Sequence, residues 1–269
     1  IGEAPPRPLP RWQPGQAPLA GLRVLELARI LAGPVAGRTL ALHGADVLLV
    51  SAPHLPHIAA LPDTSRGKRS TWLDLRTRLD AGTLHALARE ADVFLQAYRP
   101  GALEARGFGV QALAEHAPGI VCASLSAYGT EGPWGARRGF DSLVQTATGL
   151  NADEAAAFGS DTPRALPLQI LDYAAGHLLA FGAQAARWRQ ACEGGSWHVQ
   201  VSLAGVAAWL RTLGREGEAG LAAERPALQP WLDEQDSGFG RLGFVRHPVH
   251  FDGVTPRPAV RPGTHPARW

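Results

Sequence analysis

The chain of 269 residues contains no methionine and only two cysteines, Cys122 and Cys192. Two cysteines build no disulfide framework, and neither sits in the Cys/His spacing of a metal site, so no metal is expected. That usage suits a reducing, cytoplasmic setting. Charge is sparse too: 19% of residues are Asp, Glu, Lys or Arg, and the net charge is +2. Bulk electrostatics therefore do not point to nucleic acid, and any anion site has to be local. No uninterrupted apolar run reaches transmembrane length, and no basic-then-apolar leader opens the chain; neither membrane nor nucleic acid is an expected partner. A chain that starts at Ile1 and has no Met reads as a fragment, a processed chain or a sequence lacking its Met positions.

Two motifs are missing as well. A nicotinamide dinucleotide site needs G-x-G-x-x-G after the first strand and an acidic residue closing the second. Here the turn reads Gly33-Pro-Val-Ala-Gly37, and the second strand ends Val50-Ser51. No G-x-S-x-G elbow is present to serve a Ser/His/Asp hydrolase. His43, His85, His116, His177 and His198 have no companion serine motif. His177 follows Asp172 by five positions, so the two do not stack on one helix face.

What is present is a regular alternation. Residues 1–18 hold six prolines and read as an extended lead-in or linker. Leu22–Leu27 alternates like a strand, 32–37 turns into a helix with Pro34 in its first turn, and Gly44–Val50 is a buried strand. Strand, helix and strand make a βαβ unit and imply parallel pairing. Strands at 70–75, 93–96, 120–125 and 197–202 and helices near 79–91, 110–116, 140–148, 173–190 and 203–213 continue the series. The expected fold is α/β: an open, mostly parallel, Rossmann-like sheet with helices on both faces. Residues 151–165 read as a loop, and the chain from about 214 as irregular, with 245–269 an extended tail laid over a surface. The expected organisation is a lead-in at 1–18, one large α/β domain at 19–213, and a linker and tail at 214–269.

Ligands of such sheets sit beyond the carboxyl ends of the strands. Two features bear on that rim. The first is Leu166-Pro-Leu-Gln-Ile-Leu-Asp172, an apolar lead-in that delivers one carboxylate to the start of a helix of small residues. Asp172 reads either as an N-cap, ionised at neutral pH and favoured by the helix dipole, or as a carboxylate nucleophile. The second is a gathering of cations beside Gly and Pro turns: Arg66, Lys68, Arg69, Arg99, Arg106, Arg137 and Arg138, with Tyr98 and Tyr128 among them. A solvated surface and a polyphosphate site with an aromatic platform both fit that pattern.

Several segments in the same order resemble the family III CoA-transferases, the group that includes formyl-CoA and carnitine CoA-transferases and 2-methylacyl-CoA racemases. They are Leu19–Leu27, Leu31-Ala-Gly-Pro34, Gly44-Ala-Asp-Val47, Gly67-Lys-Arg-Ser70 with Leu73-Asp-Leu75, Ala91-Asp-Val93, Tyr98-Arg-Pro-Gly101, Tyr128–Pro133, Gly139-Phe-Asp141 and the Asp172 helix. The resemblance implies that Asp172 attacks an acyl-CoA thioester and then carries CoA as an aspartyl thioester. It implies coenzyme A as substrate, a carboxylic acid as acceptor, and an interlocked homodimer. It places CoA contacts at or beside Val35, Ala36, Lys68, Arg69, Ala97, Tyr98, Arg99, Arg106 and Arg138. Three positions depart from the pattern. Racemases carry His before the Asp that matches Asp141, and here it is Phe140, which favours transfer over racemisation. The Glu-Arg/Pro-Pro that commonly follows the second strand is Ser51-Ala-Pro53. Residues 204–244 are too few for the small second domain of longer members, which is expected to be reduced, missing or encoded before Ile1; a 2-methylacyl-CoA racemase-like enzyme, or a catalytically weak CoA-binding protein or subunit, is the alternative.

Overall fold

The computed structural model describes residues 1–214, 227–249, 251 and 254–269. Six parallel strands form one sheet: β1 (Arg23–Leu27), β2 (Asp46–Ser51), β3 (Arg69–Trp72), β4 (Val93–Gln96), β5 (Val121–Ser126) and β6 (Trp197–Ser202), in the order β3-β2-β1-β4-β5-β6. The strand order reverses between β1 and β4, which makes their carboxyl ends the topological switch point of the sheet. Side-chain alternation divides the core in two. Val24, Val47, Val93, Leu95, Val121 and Ala123 face one side, while Leu25, Leu48, Val50, Phe94 and Cys122 face the other. Both sets are buried, which is why the inner strands read as continuous apolar runs.

The helices α1 (Ala32–Leu42), α7 (Ile170–Glu193) and α8 (Leu203–Thr212) cover the first face, and α3 (Arg78–Glu90) and α4 (Val110–His116) the second. A short helix, α2 (Leu61–Thr64), precedes β3, and α5 (Asp141–Ala147) and α6 (Leu150–Ala157) precede α7. Helix α7 carries Ala175, Gly176, Leu179, Ala180 and Ala183 on its buried face. Small residues let α1 approach closely: a Cβ at Gly176 would lie 2.7 Å from both Ala32 O and Val35 Cγ1. Gly176→Ala is therefore expected to cost about 1–3 kcal/mol by overpacking. The check is a lowered midpoint in urea with an unchanged slope.

Two extended segments are tied to this body. The proline-rich lead-in has few N–H donors, and its carbonyls serve as acceptors. Arg187 Nη1 donates to Arg7 O at 2.9 Å, Gln190 Nε2 to Pro5 O at 3.0 Å, and Gly195 N to Ala4 O at 2.7 Å. At the other end, residues 254–269 run past the edge strand β3: Gly67 N donates to Arg257 O at 2.9 Å and His265 N to Ser70 O at 2.8 Å. That covering protects a sheet edge.

Two elements differ from the sequence reading. Residues 150–157 are helix α6, not loop; Ala and Glu favour it, and Gly149 in the left-handed region turns the chain into it. Within the stretch read as irregular, β7 (Leu232–Ser237) and β8 (Gly240–Val245) form an antiparallel hairpin. Its first strand, Leu-Asp-Glu-Gln-Asp-Ser, has little strand propensity, and two glycines interrupt the second, Gly-Arg-Leu-Gly-Phe-Val. Part of the predicted linker, residues 215–226, lies outside the described residues.

Candidate active site

A cleft of about 440 Å³ opens at the carboxyl ends of β1, β4 and β5. Its walls are the β1–α1 turn with the first turn of α1 (Arg29–Gly33), the turn after β4 (Ala97–Pro100), the end of β5 with Ser126 and Ala127, the loop Arg137–Phe140, and Leu203. Asp172 lines it as well.

The β1–α1 turn is unusual. Ile30 has φ 64°, the left-handed region that β-branched residues avoid. The strain is held from below: Gly33 packs so closely that a Cβ there would lie 2.6 Å from Ala28 Cβ and 2.7 Å from Ala97 Cβ. The first-turn N–H groups of α1 have no partner inside the helix, and they belong to the cleft wall at Ala32 and Gly33.

Asp172 is the third residue of α7 and 8% exposed. Its place corrects one expectation: Gln169 is the N-cap, and no side chain caps there. A different carboxylate takes the helix N–H. Asp141 Oδ2 accepts from Asp172 N at 2.8 Å, while Asp141 Oδ1 accepts from Gln145 Nε2. Gln145 Nε2 also donates to Leu168 O at 3.1 Å, and Gln145 Oε1 accepts from Leu166 N at 3.2 Å. Asp141 and Gln145 are both buried, so α5 staples the lead-in of α7. The expected ionisation is corrected as well. Burial, and then the Asp141 carboxylate beside it, push the Asp172 carboxyl up to about 7. Among the described residues, no donor is hydrogen-bonded to that carboxyl.

Of the positions named from the sequence, Ala97, Tyr98, Arg99 and Arg138 meet Asp172 in this cleft. The others lie elsewhere. Val35 and Ala36 are buried one turn deeper in α1. Lys68 is wholly buried, with Nζ 2.9 Å from Glu26 Oε1, 2.6 Å from Glu26 Oε2 and 2.9 Å from Pro34 O. Burial pushes the Glu26 carboxyl up to about 7 against the pull of Lys68, and the same burial lowers the lysine. Arg69 opens β3 and forks onto Asp46, the first residue of β2, with Nε–Oδ1 3.0 Å and Nη2–Oδ2 2.9 Å. Arg69 thus sits at the amino rim of the sheet, opposite the cleft. Arg106 donates to Leu75 O at 3.2 Å and does not line the cleft. Arg137, one of the gathered cations, lines it too, stacked 4.6 Å above the Trp134 ring, as does Arg29, which the sequence reading did not single out and which donates to Pro56 O at 2.6 Å. The signal for Arg29 was its place just past the end of β1.

A second cavity of about 360 Å³ lies on the α4 side and shares Tyr98, Arg99, Pro100, Leu125 and Ser126 with the cleft. Its polar floor includes His198 and Ser124, 3.1 Å apart across β6 and β5.

Known proteins share this fold. The sequence model described as CoA-transferase family III matches residues 19–214. A Mycobacterium tuberculosis protein named probable fatty acyl-CoA transferase Rv3272 is 36% identical over 209 residues, covering 72% of this chain and 52% of its own length. A succinate–glutarate CoA-transferase of Agrobacterium fabrum is 30% identical over 208 residues, covering 70% and 52%. The crystal structure of hypothetical protein Rv3272 superposes with a TM-score of 0.69 at 36% identity, over 75% of this chain and 58% of that one. This chain thus spans about half the length of these curated relatives.

Proposed function

Because the chain belongs to CoA-transferase family III, over residues 19–214, we propose that it moves CoA between an acyl-CoA and a carboxylic acid, with Asp172 as the nucleophile. The observation that carries this reading is a buried carboxylate without a donor, set in a cleft at the sheet's switch point and rimmed by Arg29, Arg99, Arg137 and Arg138. Arginines suit the phosphates of CoA through charge-assisted bonds.

The chemistry runs through matched exchanges. A carboxylate oxygen of Asp172 attacks the thioester carbonyl, the C–S bond breaks, and CoA leaves as a thiolate from a mixed anhydride. The thiolate attacks the aspartyl carbonyl, forms an aspartyl–CoA thioester and releases the donor acid. The acceptor carboxylate attacks that thioester, giving a new anhydride and thiolate. The thiolate then takes the acceptor's acyl carbon and frees Asp172. No net proton is consumed. Each tetrahedral oxyanion needs fixed donors, and the free N–H groups of α1's first turn stand in the same wall. Burial weakens the solvation of Asp172 and so favours attack, but only from the ionised form. Transfer is therefore expected to rise with pH through about 7 and to level off above it, read as kcat/KM for the acyl-CoA against pH.

Phe140 lines the cleft, at the place where the racemases of this family resemblance carry an imidazole. His177 lies on the exposed side of α7 near Thr39, with Nδ1 3.3 Å from its Oγ1. This favours transfer over α-proton exchange. We further place the protein as a homodimer in the cytoplasm. Cys122 and Cys192 are both free thiols, and Phe181 and Trp188 stand exposed on the outer face of α7, where a second copy would cover them.

The reading is tested by a transfer assay with paired acyl-CoA and acid. Arg99→Ala and Arg138→Ala are each expected to raise KM for the acyl-CoA about tenfold, the loss of one charge-assisted contact, with kcat little changed. Failure of both variants to move KM would take CoA out of this cleft.

A further inference from the structure

Resting on that reading, we propose that the acyl group handled at Asp172 is apolar and carries no second charge, and that Ile30, Leu31 and Phe140 form its subsite. Each of the three residues breaks a local rule. Ile30 occupies the left-handed region, where Gly or Asn belongs. Leu31 is the N-cap of α1 and Phe140 the N-cap of α5, both without a side-chain cap, at positions that favour Ser, Thr, Asp or Asn. Phe140 is moreover 60% exposed. Three large apolar side chains held against backbone preference line one cleft. Departures of that kind concentrate at functional sites.

Charge placement agrees. Phe140 directly precedes Asp141, whose carboxylate holds the Asp172 N–H. Among the described residues no hydrogen bond or ion pair joins an arginine to the Asp172 carboxyl, and Arg29 and Arg137 are engaged by Pro56 O and the Trp134 ring. A distal carboxylate on an acyl group lying against Ile30, Leu31 and Phe140 would be desolvated against apolar walls.

The test is binding of two non-reactive thioethers to the full chain by calorimetry, S-hexyl-CoA and S-(3-carboxypropyl)-CoA, with free CoA as reference. S-hexyl-CoA is expected to bind about tenfold or more tighter than the carboxylate analogue. Phe140→Arg, a change at an exposed position, is expected to narrow or invert that ratio. Equal affinities, or a preference for the carboxylate, would overturn the apolar subsite while leaving CoA transfer standing. A ratio unchanged in Phe140→Arg would remove Phe140 from it. Loss of binding for all three compounds, CoA included, would overturn the functional reading itself and the subsite with it.

Discussion

Asp172→Asn is expected to stop CoA transfer, lowering kcat by about 10⁴-fold or more, while CoA still binds and the folded chain becomes more stable above pH 7. The three effects have one origin. An amide is nearly isosteric with the carboxyl but is a far poorer nucleophile, so no anhydride forms. The arginines that line the cleft are untouched, so binding of CoA is retained. The stability gain follows from the sign of the shift. The folded carboxyl titrates near 7, above its ordinary 3.8. A group raised in this way contributes fully below its unfolded value and loses that contribution as pH rises through the folded one. The wild-type chain is thus progressively destabilised between about pH 4 and 7, by up to about 4 kcal/mol for a shift of this size. Asn carries no such burden, so the stability difference between the two chains should widen over that window and then level off. Urea denaturation at pH 5 and pH 8 measures it. A variant that is inactive but no more stable at pH 8 would mean that Asp172 is better solvated than its surroundings indicate.

Lys68→Met is expected to destabilise the fold by about 3–5 kcal/mol, the loss typical when one partner of a buried ion pair is removed. Glu26 projects from the central strand and is wholly buried, and a Cβ at Gly37 would run into its carboxylate. Lys68 supplies the countercharge and also bonds Pro34 O in the first turn of α1. Without the lysine, Glu26 has to take up a proton to remain buried. The deficit should therefore shrink as pH falls and Glu26, raised by burial and no longer pulled down by Lys68, takes up that proton. The double variant Glu26→Leu/Lys68→Met removes both charges and should recover most of the loss. Thermal midpoints of the three chains at pH 5.5 and 8.5 check it; equal deficits for the single and double variants would locate the cost in packing rather than in charge.

The sheet was legible because its inner strands are short apolar runs punctuated by Gly and Pro turns, a pattern that only parallel pairing buries on both faces. Asp172 was legible as a carboxylate delivered to a helix start. Its protonation was not, because that depends first on burial in the folded chain and then on Asp141, thirty-one positions away, beside it. Lys68 and Arg69 looked like rim cations because charge shows in the sequence while the end of the strand it joins is easily misjudged. Their partners, Glu26 and Asp46, are set by pairing across β1, β2 and β3. Arg29 and Ile30 lay just past the end of β1 and needed only the switch-point rule to be found. The hairpin β7–β8 was hidden because β7 is acidic and polar and two glycines break up β8, so that a tight turn rather than an apolar pattern pairs them.

Incubating the full chain with an acyl-CoA in the absence of acceptor, quenching with hydroxylamine, and weighing the peptide that contains Asp172 decides whether that carboxylate is the nucleophile. An aspartyl hydroxamate is expected on that carboxyl, absent in Asp172→Asn. Turnover of acyl-CoA to a new thioester with that peptide unmodified, or with the label on another residue, would contradict it.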